Sequence, residues 1–141
     1  MKKPEGSTPE GVGELIKDLV EGKTVCDVGC GQGAFMKQVA PYAKHVFGIE
    51  EDPDFAGELA SEGFEVHPTN HWFSPLPKAD VYYLWTKDAM GTYLKAKHEG
   101  TKGTFIFGIT IRPSLSKLIK EIGAETRKLP DNSFEVYITE L

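Results

Sequence analysis

Apolar residues at Val12, Leu15, Ile16, Leu19 and Val20 recur at i, i+3, i+4, i+7 and i+8, which places them on one face of a helix. Ahead of them, Thr8-Pro9-Glu10 supplies a hydroxyl for the N-cap, a proline for the first turn and an acid. The pattern therefore predicts a helix that begins at Thr8 and is stopped by Gly22. Beyond that glycine the period shortens. Apolar runs at 23–28, 46–50, 64–67, 80–85 and 103–109 predict five strands, and the unbroken run at 80–85 suits a parallel strand buried on both faces. Helices are expected between them at 34–40, ended by Pro41, from Asp52-Pro53 to about Ser61, and at 88–97 with Met90, Tyr93 and Leu94. A further stripe of Leu115, Leu118, Ile119 and Ile122 is closed by Gly123. Residues 68–79 are polar and carry prolines, so a loop is expected there. At the end of the chain, 125–129 and 133–140 flank Pro130-Asp131-Asn132, the signature of a hairpin.

Strand–helix alternation implies parallel strands joined by right-handed crossovers, with helices on both faces. The expected fold class is α/β: a three-layer sandwich whose seven-stranded, mostly parallel sheet ends in a C-terminal antiparallel hairpin. Residues 1–141 are expected to form one domain, with 1–6 disordered.

Composition narrows the function. Hydrophobic residues make up 40% and charged residues 26%, enough for an ordinary core. A net charge of −5 leaves no basic excess to neutralise phosphates, which argues against nucleic acid as a partner. No apolar run approaches ~18 residues, so no membrane span is expected. The start, Met-Lys-Lys-Pro-Glu-Gly, lacks the apolar stretch of a signal peptide. Cys26 and Cys30 have no second ligand pair nearby, so a metal site is not expected, and a reduced cytoplasmic setting is the simplest reading.

The most specific segment is residues 24–33, Thr-Val-Cys-Asp-Val-Gly-Cys-Gly-Gln-Gly. A short apolar run ends near Asp27, glycines follow at 29, 31 and 33, and a helix is expected next. The spacing is G-x-G-x-G, whereas a dinucleotide fingerprint is G-x-G-x-x-G. Asp27 would repel a pyrophosphate, so a ligand bearing an ammonium or sulfonium group fits better. The Asp27-x-Gly29-x-Gly31-x-Gly33 pattern resembles motif I of the class I S-adenosylmethionine (SAM)-dependent methyltransferases, which also have a seven-strand Rossmann-like sheet with a terminal hairpin.

That resemblance implies SAM as cofactor and S-adenosylhomocysteine as product. It implies that Asp27, Gly29, Cys30, Gly31 and Gly33 wrap the methionine moiety and that Glu50, with Glu51 beside it, takes the ribose hydroxyls. It puts Asn70 and His71 at the adenine, where Trp72 or His71 could cover the base, and Leu84 and Trp85 beside the transferable methyl group. A narrower resemblance, to the short archaeal and mitochondrial protein-lysine methyltransferases, rests on Thr8-Pro9, Glu50-Glu51-Asp52-Pro53 and Asn70-His71-Trp72. It implies that Thr8 lies near the cofactor carboxylate. Gln32 departs from that pattern where an acid is common, and Asn70 where Asp is. After the fourth strand, Leu84-Trp85-Thr86-Lys87-Asp88 lacks the Asn/Asp-Pro-Pro-aromatic tetrad of base-amino methyltransferases. The expected activity is methyl transfer to an acceptor, preferably protein lysine, with no catalytic residue nominated. A small-molecule acceptor, with a homodimer closing the cleft, and a non-catalytic SAM-binding module are the alternatives.

Overall fold

In a computed structural model of the protein, the described residues are 8–70, 74–85, 89–109, 121 and 125–141. The chain runs through α1 (Val12–Leu15), α2 (Lys17–Val20), β1 (Thr24–Val28), α3 (Ala34–Val39), β2 (His45–Ile49) and α4 (Pro53–Ser61). It continues through β3 (Glu65–His67), β4 (Val81–Leu84), α5 (Ala89–His98), β5 (Thr104–Ile109), β6 (Glu125–Lys128) and β7 (Glu135–Glu140). The strands form one sheet in the order β3-β2-β1-β4-β5-β7-β6. β1 pairs in parallel with both β2 and β4, whereas β7 runs antiparallel to both β5 and β6. Strand order therefore reverses between β1 and β4, the point where open parallel sheets leave a crevice beyond their carboxyl ends.

Alternation along the strands divides the interior in two. On one face Val25, Val46, Val81, Tyr83 and Ile106 pack against Val12, Ile16 and Val20 and against Phe35, Met36, Val39 and Leu59 of α3 and α4. On the other, Cys26, Tyr82, Phe105 and Phe107 pack against Ala89, Tyr93 and Ala96 of α5. Asp52 caps α4 as its sequence implies: the carboxylate accepts from the N–H groups of Asp54 and Phe55 at 2.9 and 3.3 Å, with Pro53 in the first turn.

The first helix differs from expectation. Ile16 (φ −115°, ψ 15°) breaks it into two single turns, and its N-cap is Gly11 at φ 92°, not Thr8. A positive φ is a glycine conformation. Thr8 cannot cap because its hydroxyl is engaged elsewhere, on the Tyr83 hydroxyl at 3.0 Å. The apolar stripe still serves its purpose, since Val12, Ile16 and Val20 are fully buried. The 115–122 stripe, the expected disorder at 1–6, and His71, Trp72, Lys87 and Asp88 lie outside the described residues, as do all other side chains in those gaps. Among the described residues no helix is long and apolar enough to cross a membrane.

Candidate functional site

The loop after β1 lies beyond the carboxyl end of that strand, at the reversal point of the sheet. Gly29, Gly31 and Gly33 all have positive φ, at 71°, 55° and 80°. Two of them have distinct reasons to be glycine. A Cβ on Gly33 would collide with the Leu59 side chain, so that glycine lets α3 start close against α4. A Cβ on Gly31 would meet nothing within 4 Å, so Gly31 faces open space in a left-handed conformation.

The donors of this loop are already committed. Gly29 and Cys30 both donate to the Ile49 carbonyl, at 2.8 and 3.0 Å, and Gly33 donates to the Cys30 carbonyl at 2.8 Å. Gly31 N–H donates to Glu50 Oε1 at 2.7 Å. Four N–H groups of the turn are thus satisfied internally, which leaves an anion few donors here. The Cys30 thiol turns inward and fills the space a side chain at Gly48 would occupy. Burial pushes both the Cys30 and Cys26 thiols up, so each stays protonated.

Asp27 is the outlier of the site. It lies in β1, only 4% exposed, and no donor among the described residues bonds its carboxylate. Burial, and next the nearby Glu50 charge, hold its pKa well above the usual carboxylate range. That shift favours the protonated acid, and a cation placed beside it would favour the charged form. An ammonium or sulfonium group would meet that need directly, which is the fit the cofactor implied by the glycine pattern requires.

Glu50 directly follows β2, near enough for its charge to act on Asp27. Its second oxygen, Oε2, accepts the Asp52 N–H at 3.0 Å, so two backbone donors hold the carboxylate fixed. A carboxylate has about four lone-pair sites. One remains on each oxygen, enough for two hydroxyl donors. Glu51 and Asn70 join the loops after β2 and β3, with Asn70 Nδ2 donating to Glu51 Oε2 at 2.8 Å.

At the other wall, Leu84 is fully buried on the α5 side, so only its backbone borders the crevice. Trp85 turns to the opposite face, half-buried, with its ring edge-on to Phe134 at 5.0 Å and 78°. Tyr83 stacks flat on Phe35, centroids 3.7 Å apart, and pairs in register with Asp27. Tyr83, Phe35 and Phe134 were not among the expected site residues. The two-residue alternation of β4 signals Tyr83, since it puts Val81, Tyr83 and Trp85 on the Asp27 side of the sheet, whereas Phe35 on α3 and Phe134 ahead of β7 arrive through long-range contacts. Among the described residues, no cluster of three His, Cys, Asp or Glu side chains is placed to hold a metal.

No family model and no curated protein matches the sequence. Solved structures do match. A Pyrococcus horikoshii protein described as an RNA methyltransferase is 19% identical with a TM-score of 0.72, over 99% of this chain and 89% of that one. This is the class I methyltransferase fold. A SAM-dependent O-methyltransferase from Thermotoga maritima, 16% identical, gives a TM-score of 0.70 over 95% of this chain and 66% of that one. An RNA methyltransferase from Salinibacter ruber, solved with S-adenosylhomocysteine, is 16% identical with a TM-score of 0.68 over 94% and 92%. The seven-stranded sheet of this chain, with its antiparallel β7, is consistent with that fold. At this level of identity the likeness is one of fold.

Proposed function

We propose that the chain is a SAM-dependent methyltransferase, with residues 1–141 acting as one domain. The observation that carries this reading is Asp27: a buried carboxylate without a partner, beside a glycine turn whose N–H groups are spent. That arrangement favours a cation over a pyrophosphate. It separates SAM from a nicotinamide dinucleotide on electrostatic grounds, beyond the glycine spacing alone. In this reading Asp27 faces the ammonium of the methionine moiety, Gly31 leaves room for its backbone, and Glu50 receives both ribose hydroxyls in a bidentate contact. Glu51 and Asn70 bound the adenine side. Cys30 contributes backbone only.

When bound, the cofactor supplies a methyl group on a positively charged sulfur. The residues of this chain then serve to position the reactants. Nucleophile, methyl and sulfur must be collinear, and good alignment supplies most of the rate. Trp85 forms a half-buried aromatic wall beside the end of β4 and orients the acceptor. No residue is nominated as general base, because an amine acceptor can lose its proton to solvent before attack. We favour protein lysine as acceptor, since the site is framed by short loops that a protruding side chain can reach. The net charge of −5 disfavours RNA, which the P. horikoshii and S. ruber proteins are described as methylating.

The test is labelled-methyl transfer from SAM into a cell lysate, separated into protein, RNA and small-molecule fractions. Label in protein, with lysine as the modified residue, supports the full reading. Label in RNA or small molecules keeps the methyltransferase and replaces the acceptor. SAM binding without transfer to any fraction leaves a non-catalytic SAM-binding module.

A further inference from the structure

At the opposite end of the sheet from the glycine turn lies a cavity of about 640 Å³. It sits where β4 and β5 begin, at Val81 and Thr104, and where β7 ends, at Glu140. Asp80 borders it, whereas Trp85 stands at the far end of β4, so about 16 Å of chain separates the two at roughly 3.3 Å per residue. The proposed methyl transfer uses none of the residues at this end. The walls are fixed. The Tyr82 hydroxyl accepts the Ala79 N–H at 2.9 Å and donates to the Pro77 carbonyl at 2.5 Å, and Lys95 Nζ donates to the Ser74 carbonyl at 3.2 Å. A Cβ on Gly103 would strike the Asp80 carbonyl and the Tyr82 ring, so glycine lets the turn before β5 close against β4. Leu19, Pro75 and Leu76 give the cavity an apolar side. Its volume lies within the range of small-molecule sites, roughly 300–1,000 Å³.

The charges around it are matched unequally. Each carboxylate of the lining has a partner: Asp80 Oδ2 accepts the Thr24 N–H at 3.0 Å, Glu99 pairs with Lys95 at 2.7 Å, and Glu140 Oε1 accepts the Thr104 hydroxyl at 2.7 Å. Lys23, Lys78 and Lys102 also line the cavity, and all are exposed. Among the described residues, none of their ammonium groups has a hydrogen-bond or ion-pair partner. An ammonium brings three donors and no acceptor. Asp80 and Glu140 keep an uncompensated charge against these three cations, so the surplus is one of cationic donors. A compact anion with several acceptor oxygens answers it, and lysine binds phosphate as a point charge.

We propose that this cavity is a second ligand site, which takes a small organic phosphate monoester. Its phosphate meets Lys23, Lys78 and Lys102, and its apolar body lies on Leu19 and Leu76. The flexible four-carbon stems let the ammonium groups converge on one dianion. The inference stands apart from the cofactor reading, because no residue of the glycine turn takes part.

The probe is naphthyl phosphate, with naphthol and inorganic phosphate as its two halves. Titration calorimetry on the parent should give a dissociation constant of about 0.1–1 mM for the whole probe, and each half should bind at least about tenfold more weakly. The triple variant Lys23→Gln, Lys78→Gln, Lys102→Gln should lose at least about tenfold in affinity. A control triple variant, Lys17→Gln, Lys37→Gln, Lys44→Gln, removes the same charge from lysines outside the cavity and should change affinity by less than about twofold. Amide chemical shifts of isotope-labelled protein locate the probe: Thr101, Gly103 and Thr104 should move, and Gly29, Gly31 and Gly33 should not. Melting temperatures show that the variants fold, and Lys78→Gln alone, with a loss of about threefold, carries the test if the cavity triple variant does not. Absence of binding at about 5 mM probe, equal losses in the two triple variants, or shifts confined to the glycine turn would overturn the inference.

Discussion

Replacing Asp27 by Asn should move stability and affinity in opposite directions. In the folded protein burial, and then the Glu50 charge, raise the Asp27 pKa well above its ordinary 3.8. Between the ordinary and the raised value the folded state binds more protons than the unfolded state. Stability therefore falls as pH rises through that window, because ionising the folded protein's Asp27 is opposed by burial and by the Glu50 charge. Asparagine has nearly the same shape and no charge, so the ligand-free variant should melt higher than the parent at neutral pH. Each kcal/mol recovered appears as roughly 4 °C for a chain of this size. Binding tells the opposite story. The carboxylate that destabilises the empty cleft is the partner of the ligand ammonium, and hydrogen bonds to charged groups are worth about 1.5–3 kcal/mol. The variant should bind S-adenosylhomocysteine roughly 10- to 150-fold more weakly. In the parent, the ligand ammonium drives Asp27 to ionise, so binding releases up to one proton, and affinity rises with pH through the same window by up to tenfold per pH unit before levelling. Titration calorimetry in two buffers of different ionisation enthalpy counts that proton, and thermal melts read the stability. A variant that melts lower than the parent and binds equally well, together with no proton release in the parent, would refute the assignment of Asp27.

Glu50→Ala should cost about 1.5–3 kcal/mol of cofactor affinity, because it removes the fixed carboxylate and strands the Gly31 and Asp52 N–H groups; calorimetry checks it, and unchanged affinity would make Glu50 only a brace for the loop. Gly31→Val should abolish binding while leaving a folded protein, since the side chain meets nothing in the empty cleft, projects into the ligand space, and costs about 1–3 kcal/mol as a non-glycine residue at φ 55°; melting and binding assays on the variant separate these effects. Trp85→Ala should lower labelled-methyl turnover more than it weakens SAM binding, because the ring is half-buried on Phe134 and misplacing an acceptor by about 1 Å can cost on the order of 100-fold; a large fall in melting temperature with proportionate loss of everything else would make it a core residue.

The sheet was legible because its signals are local and redundant. Short apolar runs marked β1, β2, β4 and β5, and the Asp52-Pro53 and Pro130-Asp131-Asn132 motifs marked the start of α4 and the β6–β7 turn with definite chemistry. The pairing of β7 with β5 follows from the hairpin only once the fold places it, since six register pairs there are long-range. Thr8 shows where local reading stops. Its position before a proline and an acid is that of an N-cap, yet a partner 75 residues away takes its hydroxyl and the cap moves to Gly11. The break at Ile16 has no counterpart in the apolar spacing, which a continuous helix would satisfy equally well. In the candidate site, the types and order of Asp27, the glycines and Glu50 were readable. Glu50 gripping the Gly31 N–H, Gly48 giving way to Cys30, and Tyr83 joining Thr8 were not, because each depends on strands and loops that meet only in the folded sheet.

The most direct test of the central claim is titration calorimetry of the parent protein with S-adenosylhomocysteine, with NAD, which shares the adenosine but carries a pyrophosphate, as the control. A cleft built around an unpaired buried acid and a spent set of loop donors should bind S-adenosylhomocysteine with a dissociation constant in the micromolar range, about −8 kcal/mol, and give no heat with NAD. Binding of NAD at millimolar concentration with none of S-adenosylhomocysteine would contradict the account.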